Sequence, residues 1–354
     1  MPGETHVAIL GGTGYGAGEL LRLLTQHPGV RVVGVTTMSR VGERVDRVHP
    51  HLRGFYDLRL EAKLPWARLL DAPQAVLVSG LPSGASGAAI ESVLTEAAAH
   101  GAAARLRVID LSGDLRLRDL PRHREHYPET PALETLRGRA VYGLTELNRA
   151  AIAGAQIVAN PGCLATAAIL AAAPLMSLGA SGVLAVDTKT GSSGSGRQLR
   201  ETTHHPTRHA DFRAYKPLSH QHEPEIVQAL GAEARDRVQL SFVAQSMDAA
   251  RGIFATVHAT LPAETDEARL RADYERFYAD CPFVRVVSSS PTLQDVVGSN
   301  FCDVGVAARG RQVIVMAALD NLVKGMAGAA IQNMNLMCGL DEKAGLWTPS
   351  LRPV

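Results

Sequence analysis

The chain has 354 residues, 46% of them apolar and 20% charged. That length exceeds one ordinary core and suits two domains, and the composition excludes a disordered chain. Lys and Arg total 36 against 35 Asp and Glu, so no global charge draws the chain to nucleic acid or to an anionic membrane.

Val7-Ala8-Ile9-Leu10 is an apolar run that stops at a glycine cluster, Gly11 to Gly18. Leucines at helical spacing follow from Glu19 to Leu24, and Val30 to Thr37 is a second β-branched run. Strand, glycine turn, helix and strand together match one βαβ unit of about 30 residues. Further buried strands are predicted at 75–79, 107–111 and 156–159, with an Ala-rich helix over 85–99. This alternation predicts a parallel sheet covered on both faces. Beyond about residue 180 the pattern changes. Strands are predicted at 183–187, 238–245, 253–261, 302–308 and 312–318, with one clear helix over 265–280 and a last one over 323–337. Strands with few helices between them predict a largely antiparallel α+β domain. The stretch from Gly191 to His222 is rich in Gly, Ser, His and Arg and has little periodicity, and loops of this length in compact proteins usually carry function.

The glycine cluster reads G-x-x-G-x-x-A over Gly11, Gly14 and Ala17, a variant of the dinucleotide fingerprint. Such a turn brings a pyrophosphate against a helix N-terminus, where N–H groups and the helix dipole stabilise negative charge. Ala17 is small enough for close helix–sheet packing. The second strand ends Thr36-Thr37-Met38-Ser39-Arg40, with no acid before Glu43. An NAD site favours an acid there for the ribose hydroxyls, whereas Ser39 and Arg40 suit the 2′-phosphate of NADP(H).

Asn160-Pro161-Gly162-Cys163 is a turn followed by a helix-forming sequence. Cys163 then sits at a helix N-terminus, which stabilises a thiolate, a strong nucleophile toward acyl carbons. The other cysteines, Cys281, Cys302 and Cys338, read as buried. No C-x-x-C pair suggests a disulfide framework or a zinc ribbon. His220 and His222, ahead of Glu223-Pro224-Glu225-Ile226, are the candidate acid–base groups. A zinc reading of the histidines lacks ligand spacing, so no metal is expected. Arg116 follows a strand's C-terminal end, and Ser193, Gly194 and Arg197 lie in a Gly/Ser loop; both suit anions. Thiol, NADP and anion loops together point to an acyl-phosphate substrate. No apolar run is long enough to cross a bilayer, and the first ten residues lack a signal-peptide core, so the expected compartment is the cytoplasm.

These residues resemble the N-acetyl-γ-glutamyl-phosphate reductase family of arginine biosynthesis, in the aspartate-semialdehyde dehydrogenase-like superfamily. The resemblance covers nearly the whole chain. Gly11 to Leu21 is similar to the family's G-A-T-G-Y-x-G-x-E-L-L start, Asp110 to Leu117 to D-L-S-A-D-F-R-L, and Asn160 to Cys163 to N-P-G-C. Thr190 to Arg197 resembles G-x-S-G-A-G-R, His220 to Ile226 resembles H-R-H-x-P-E-I, and Asp320 to Gly325 matches D-N-L-x-K-G. Ser83 stands where the family usually has His.

The resemblance implies an α/β protein with a Rossmann-type NADP-binding domain at 1–160, joined by a C-terminal helix within about 323–354. The substrate and dimerisation domain, with a mixed, largely antiparallel sheet, would span 161–322. It implies a homodimer or homotetramer. It implies NADPH-dependent reduction through a thioester on Cys163, with His222 or His220 moving the proton. Cofactor contacts would come from Gly11, Thr13, Gly14, Tyr15, Ala17, Ser39, Arg40, Pro82, Ser193, Gly194 and Asn321. Substrate contacts would come from Arg116, Asn160, Ser193, Arg197, Lys216 and Glu225. Thr203 to Pro206 and Tyr215 to Pro217 also resemble a sister family that reduces carrier-protein-linked α-aminoadipyl phosphate in lysine biosynthesis, for which Arg200, Arg208 and Arg213 would be a basic docking patch. An NADP-binding sensor without a reactive thiol is a third reading, from another class.

Overall fold

The computed structural model describes residues 4–353. It divides into two compact units, Met1–Pro161 with Met326–Trp347, and Gly162–Gly325 with Thr348–Val354.

The first unit is built on seven strands: β1 Thr5–Leu10, β2 Val30–Thr36, β3 Leu60–Glu61, β4 Gln74–Ser79, β5 Leu106–Asp110, β6 Ala140–Tyr142 and β7 Ile157–Ala159. Their order is β3-β2-β1-β4-β5-β7-β6, and every pairing is parallel. β1 is buried along its whole length, the mark of a strand covered on both faces. Order reverses at β1, and the turn that follows β1 opens the helix Tyr15–Leu24. Ligands of open α/β sheets bind at such a switch point, beyond the strands' C-terminal ends. The core beneath it includes Ala8, Leu10, Val33, Leu77, Ile90, Leu106 and Val108.

The second unit carries β8 Ser181–Thr190, β9 Arg213–Tyr215, β10 Val238–Ser246, β11 Ile253–Thr265, β12 Val284–Val287 and β13 Cys302–Leu319, in the order β12-β13-β11-β8-β10-β9. The sheet is mixed: β8/β10 and β12/β13 are parallel, and the other pairings are antiparallel. The α/β class and the mixed second sheet agree with the sequence reading. The two strands predicted at 302–308 and 312–318 are in fact one. Gly310, at φ +61°, lies inside the single strand Cys302–Leu319. The strand's first half pairs with β12 from Cys302 to Gly305, and its second half pairs with β11 from Gln312 to Leu319, with Thr265 opposite Gly310 itself. Strands β3, β6, β9 and β12 are too short to show a period in the sequence.

The helix Cys163–Ser177 lies against the sheet with Leu164 to Met176 all buried. Pro174 lies in its last turns and removes the N–H that would bond the Leu170 carbonyl. The Tyr278 hydroxyl donates to that carbonyl at 2.5 Å, and Tyr274 donates to Ala171 O at 2.6 Å. The helix thus stays intact and holds Cys163 at its first position. No helix among the described residues is long and apolar enough to cross a membrane.

Candidate active site

In the first unit, the turn after β1 is fixed by backbone contacts. Gly12 N–H donates to Thr36 O at 2.8 Å, and Gly80 N–H donates to Leu10 O at 2.8 Å. Gly11 holds φ +80°, and a Cβ there would come 3.0 Å from the Gly80 backbone, so only glycine fits. The Tyr15–Leu24 helix has Gly14 at its N-cap and no side-chain cap, and a Cβ on Gly14 would meet nothing within 4 Å. An uncapped helix end facing open space fits the phosphates of a dinucleotide. Ala17 is buried; the tightest approach within the helix falls at Gly18, whose Cβ would come 2.8 Å from His49 Nδ1.

Beyond β2, the Arg40 guanidinium is held by Glu43 through Nε–Oε1 at 2.8 Å and Nη2–Oε2 at 2.6 Å. The carboxylate beside it raises the Arg40 pKa and lowers that of Glu43. Ser39 N–H donates to Thr37 Oγ1 at 3.3 Å.

The Asp110–Arg116 segment stitches neighbouring loops together. Ser86 and Ser112 hydroxyls donate to Asp110 at 2.6 and 2.8 Å, while burial pushes its carboxyl above the usual range. Asp114 accepts from the N–H groups of Gly84 and Gly87 at 2.8 and 2.9 Å. Ser83 Oγ accepts from Gly113 N–H at 3.0 Å, so the residue at the departure from the family pattern ties two loops together beside Pro82. Arg116 donates from Nε to Asn160 O and from Nη2 to Leu111 O, both at 2.8 Å. Asn160 is pinned further through Nδ2 to Met326 O at 3.1 Å and by Asn333 Nδ2 on its Oδ1 at 3.1 Å.

In the second unit, Cys163 opens its helix behind Gly162, which has no side chain to cap it. The thiol is half-buried, whereas Cys281, Cys302 and Cys338 are buried, and no disulfide joins the four. Three elements meet around it. A Cβ on Gly162 would lie 2.2 Å from His222 Nε2, and one on Gly325 would lie 2.7 Å from Cys163 Cβ. Glu225, fully buried, accepts Gly162 N–H on Oε1 at 2.6 Å. Both His222 and Glu225 stand at the start of the helix Glu223–Leu230, which carries Pro224 in its first turn.

His220 is placed differently. Its Nδ1 accepts the His222 N–H at 3.1 Å, and its ring stacks edge-on with His222 at 4.6 Å and Tyr215 at 5.6 Å and tilts on Phe242 at 5.5 Å. Burial, and then the nearby Cys163 thiol, push the Tyr215 hydroxyl upward, so Tyr215 lies within the electrostatic reach of the sulfur.

Asn321 donates to Ser193 Oγ at 2.9 Å and accepts Gly252 N–H at 2.8 Å, so its amide ties the 191–195 turn to the residue just ahead of β11. Gly194 and Arg197 are exposed, and Lys216, at φ +48°, donates to Gln221 Oε1 at 3.2 Å. The sequence named Asp320 only as the start of a motif; in the structure it gathers the N–H groups of Gly298, Leu322 and Val323 and the Arg251 guanidinium. It shapes the turn that sets Gly325 on Cys163. Sequence reasoning missed His49, whose ring meets the Gly12 carbonyl.

A Rossmann-type sheet joined to a mixed-sheet unit with an N-terminal helix cysteine defines a semialdehyde dehydrogenase. Residues 6–155 match the family model "Semialdehyde dehydrogenase, NAD binding domain" and residues 163–321 match "Semialdehyde dehydrogenase, dimerisation domain". The fold is that of aspartate semialdehyde dehydrogenase II from Vibrio cholerae (TM-score 0.67, 16% identity, covering 94% of this chain and 98% of that one). It is also that of the Candida albicans aspartate semialdehyde dehydrogenase solved with NADP (TM-score 0.64, 15% identity, 97% and 99%). The chain is 42% identical to the N-acetyl-gamma-glutamyl-phosphate reductase of Desulforudis audaxviator, covering 98% of this chain and 99% of that protein. It is 43% identical to that of Symbiobacterium thermophilum over 96% and 97%. The chain belongs to the N-acetyl-gamma-glutamyl-phosphate reductase family.

Proposed function

We propose that this protein reduces N-acetyl-γ-glutamyl phosphate to N-acetylglutamate 5-semialdehyde and phosphate, with NADPH as reductant. The observation that carries the reading is the grouping of Cys163, His222 and Glu225 around the Gly162 turn.

The Cys163 sulfur attacks the γ-acyl carbon, the C–O bond to phosphate breaks, and a thioester remains on the enzyme. A nicotinamide, when bound, supplies the hydride that reduces this thioester. His222, with Nε2 against Gly162, gives its proton to the resulting thiohemiacetal oxygen. His222 recovers that proton as the C–S bond breaks, releasing the aldehyde and restoring the thiolate. Glu225 holds the Gly162 N–H and so the turn that aims the sulfur. His220, packed between Tyr215 and Phe242, orients His222 rather than moving protons. Arg116 acts by fixing the Asn160 carbonyl. In the cofactor unit, Gly11 to Tyr15 would hold the pyrophosphate, and Ser39 with Arg40 the 2′-phosphate of NADPH.

The carrier-protein reading is the weaker one. Arg208, one of its three docking arginines, is buried and bonded to Ser246 Oγ and Met247 O, and Arg213 is bound to Thr202 O and Asp211. The exposed side chains of Leu199, Phe212 and Leu218 suit contact with a second copy of the chain, in a homo-oligomer of the cytoplasm. The test is the reverse assay with NADP, phosphate and each semialdehyde. Turnover of the N-acetylglutamate semialdehyde at a kcat/KM far above that of the aminoadipate semialdehyde is expected; the opposite preference would replace this substrate with the other.

A further inference from the structure

We infer that His49 is a positioning residue for the dinucleotide turn. The inference rests on the cofactor reading above and adds a residue that the fingerprint does not contain. His49 lies 37 positions from Gly12 yet sits directly under the glycine turn, with Nε2 2.8 Å from the Gly12 carbonyl. A carbonyl only accepts, so Nε2 carries the proton and donates. His49 is 4% exposed, and its backbone is itself held, with His49 N–H donating to Val45 O at 2.8 Å and Leu52 N–H to His49 O at 3.0 Å.

The other side of the ring meets the helix that follows the turn. A Cβ on Gly18 would fall 2.8 Å from Nδ1 and 3.0 Å from Cε1. Gly18 is inside a helix, where glycine is less favourable than alanine, so its presence has a packing reason: the imidazole fills the space a methyl would take. One ring therefore sets two things. Its donor fixes the orientation of the Gly12 peptide, and its edge fixes how closely the helix N-terminus approaches the turn. Both determine where the N–H groups that receive a pyrophosphate point. Peptide orientation matters most where charge must be met, so the effect belongs to cofactor affinity and not to the thiol chemistry.

The experiment measures NADPH binding by fluorescence, and steady-state kinetics, on the full-length wild-type protein and on His49→Ala, His49→Gln, Gly18→Ala and the double variant His49→Ala/Gly18→Ala. His49→Ala is expected to raise the Kd for NADPH roughly tenfold. At saturating NADPH, its kcat and its KM for the acyl phosphate should stay within about twofold of wild type. His49→Gln keeps a side-chain N–H donor and should recover most of the affinity. Gly18→Ala should weaken binding, and removal of the ring in the double variant should relieve that loss, a non-additivity that a merely loosened fold does not produce. Wild-type binding by His49→Ala, a fall in kcat without a change in Kd, or strict additivity in the double variant would overturn the inference. If His49→Ala does not fold, His49→Gln and Gly18→Ala decide: near-normal binding in the first and weakened binding in the second support it, and the reverse contradicts it. If the wild-type protein itself fails to bind NADPH, the cofactor reading falls first and this inference with it.

Discussion

A side chain on Gly162 would lie 2.2 Å from Nε2 of His222, so the imidazole fills the side-chain space of the residue just before Cys163. The backbone of Gly162, at φ −70° and ψ 142°, is open to any residue. Glycine is needed there for space and not for conformation.

Gly162→Ala should therefore displace the ring without straining the turn. The expected result is a loss of kcat/KM of about a hundredfold or more, as for a misplaced catalytic group, with thermal stability changed by only a few degrees. Steady-state kinetics beside a melting curve would check it. Activity near wild type would remove His222 from the acid–base role.

Glu225 accepts the N–H of the same glycine. Glu225→Gln retains an oxygen acceptor and should keep much more kcat than Glu225→Ala, which leaves the N–H without that partner. Both should bind substrate with similar KM. A change confined to KM in both variants would make Glu225 a substrate contact instead.

The four thiols should differ sharply in reactivity. Burial pushes the Cys338 thiol up to about 11, so it stays protonated and inert at neutral pH, and Cys281 and Cys302 are buried as well. Iodoacetamide at pH 7 should modify one site per chain, Cys163, and turnover should be lost in step. Cys163→Ser should bind NADPH yet show no turnover. Substantial activity in that variant would end the nucleophile assignment.

Arg40 is the cation at the end of β2, and Glu43 holds it in place. Arg40→Ala should raise the KM for NADPH by roughly tenfold or more and leave that for NADH nearly unchanged. An equal effect on both cofactors would take the 2′-phosphate from this residue.

His123 is fully buried. Burial, and then the Arg137 guanidinium, hold its pKa down at about 4. The unfolded chain, with His near 6.5, takes up this proton first, so the contribution to stability is complete above pH 6.5 and lost as pH falls from 6.5 toward 4. His123→Gln should flatten that part of the stability curve, by up to roughly 3 kcal/mol at its acid end. Denaturant unfolding at a series of pH values measures it. An unchanged slope would mean that His123 protonates in the folded protein as easily as in the unfolded one.

The local features were legible in the sequence. An apolar run ending at Gly11, and an Asn-Pro-Gly turn ahead of an Ala-rich helix, are patterns that depend on neighbours in the chain. What the sequence hid is long-range packing. Nothing near His49 says that its ring will lie under Gly12, and nothing near Gly325 says that it will rest on Cys163. Arg116 follows a strand's C-terminal end, which the sequence shows; that two of its donors meet the Leu111 and Asn160 carbonyls is long-range packing that it does not show. The strands predicted at 302–308 and 312–318 are one, because the sequence does not reveal that β12 and β11 each take one end of the same strand.

The most direct test of the account is acyl transfer in the absence of cofactor. The enzyme mixed with N-acetyl-γ-glutamyl phosphate alone should release phosphate in a burst of about one per active site. Peptide mass spectrometry at mildly acidic pH should find the acetylglutamyl group on Cys163, and Cys163→Ser should give neither burst nor adduct. Steady phosphate release without an adduct, or an adduct at another residue, would contradict covalent catalysis through this thiol.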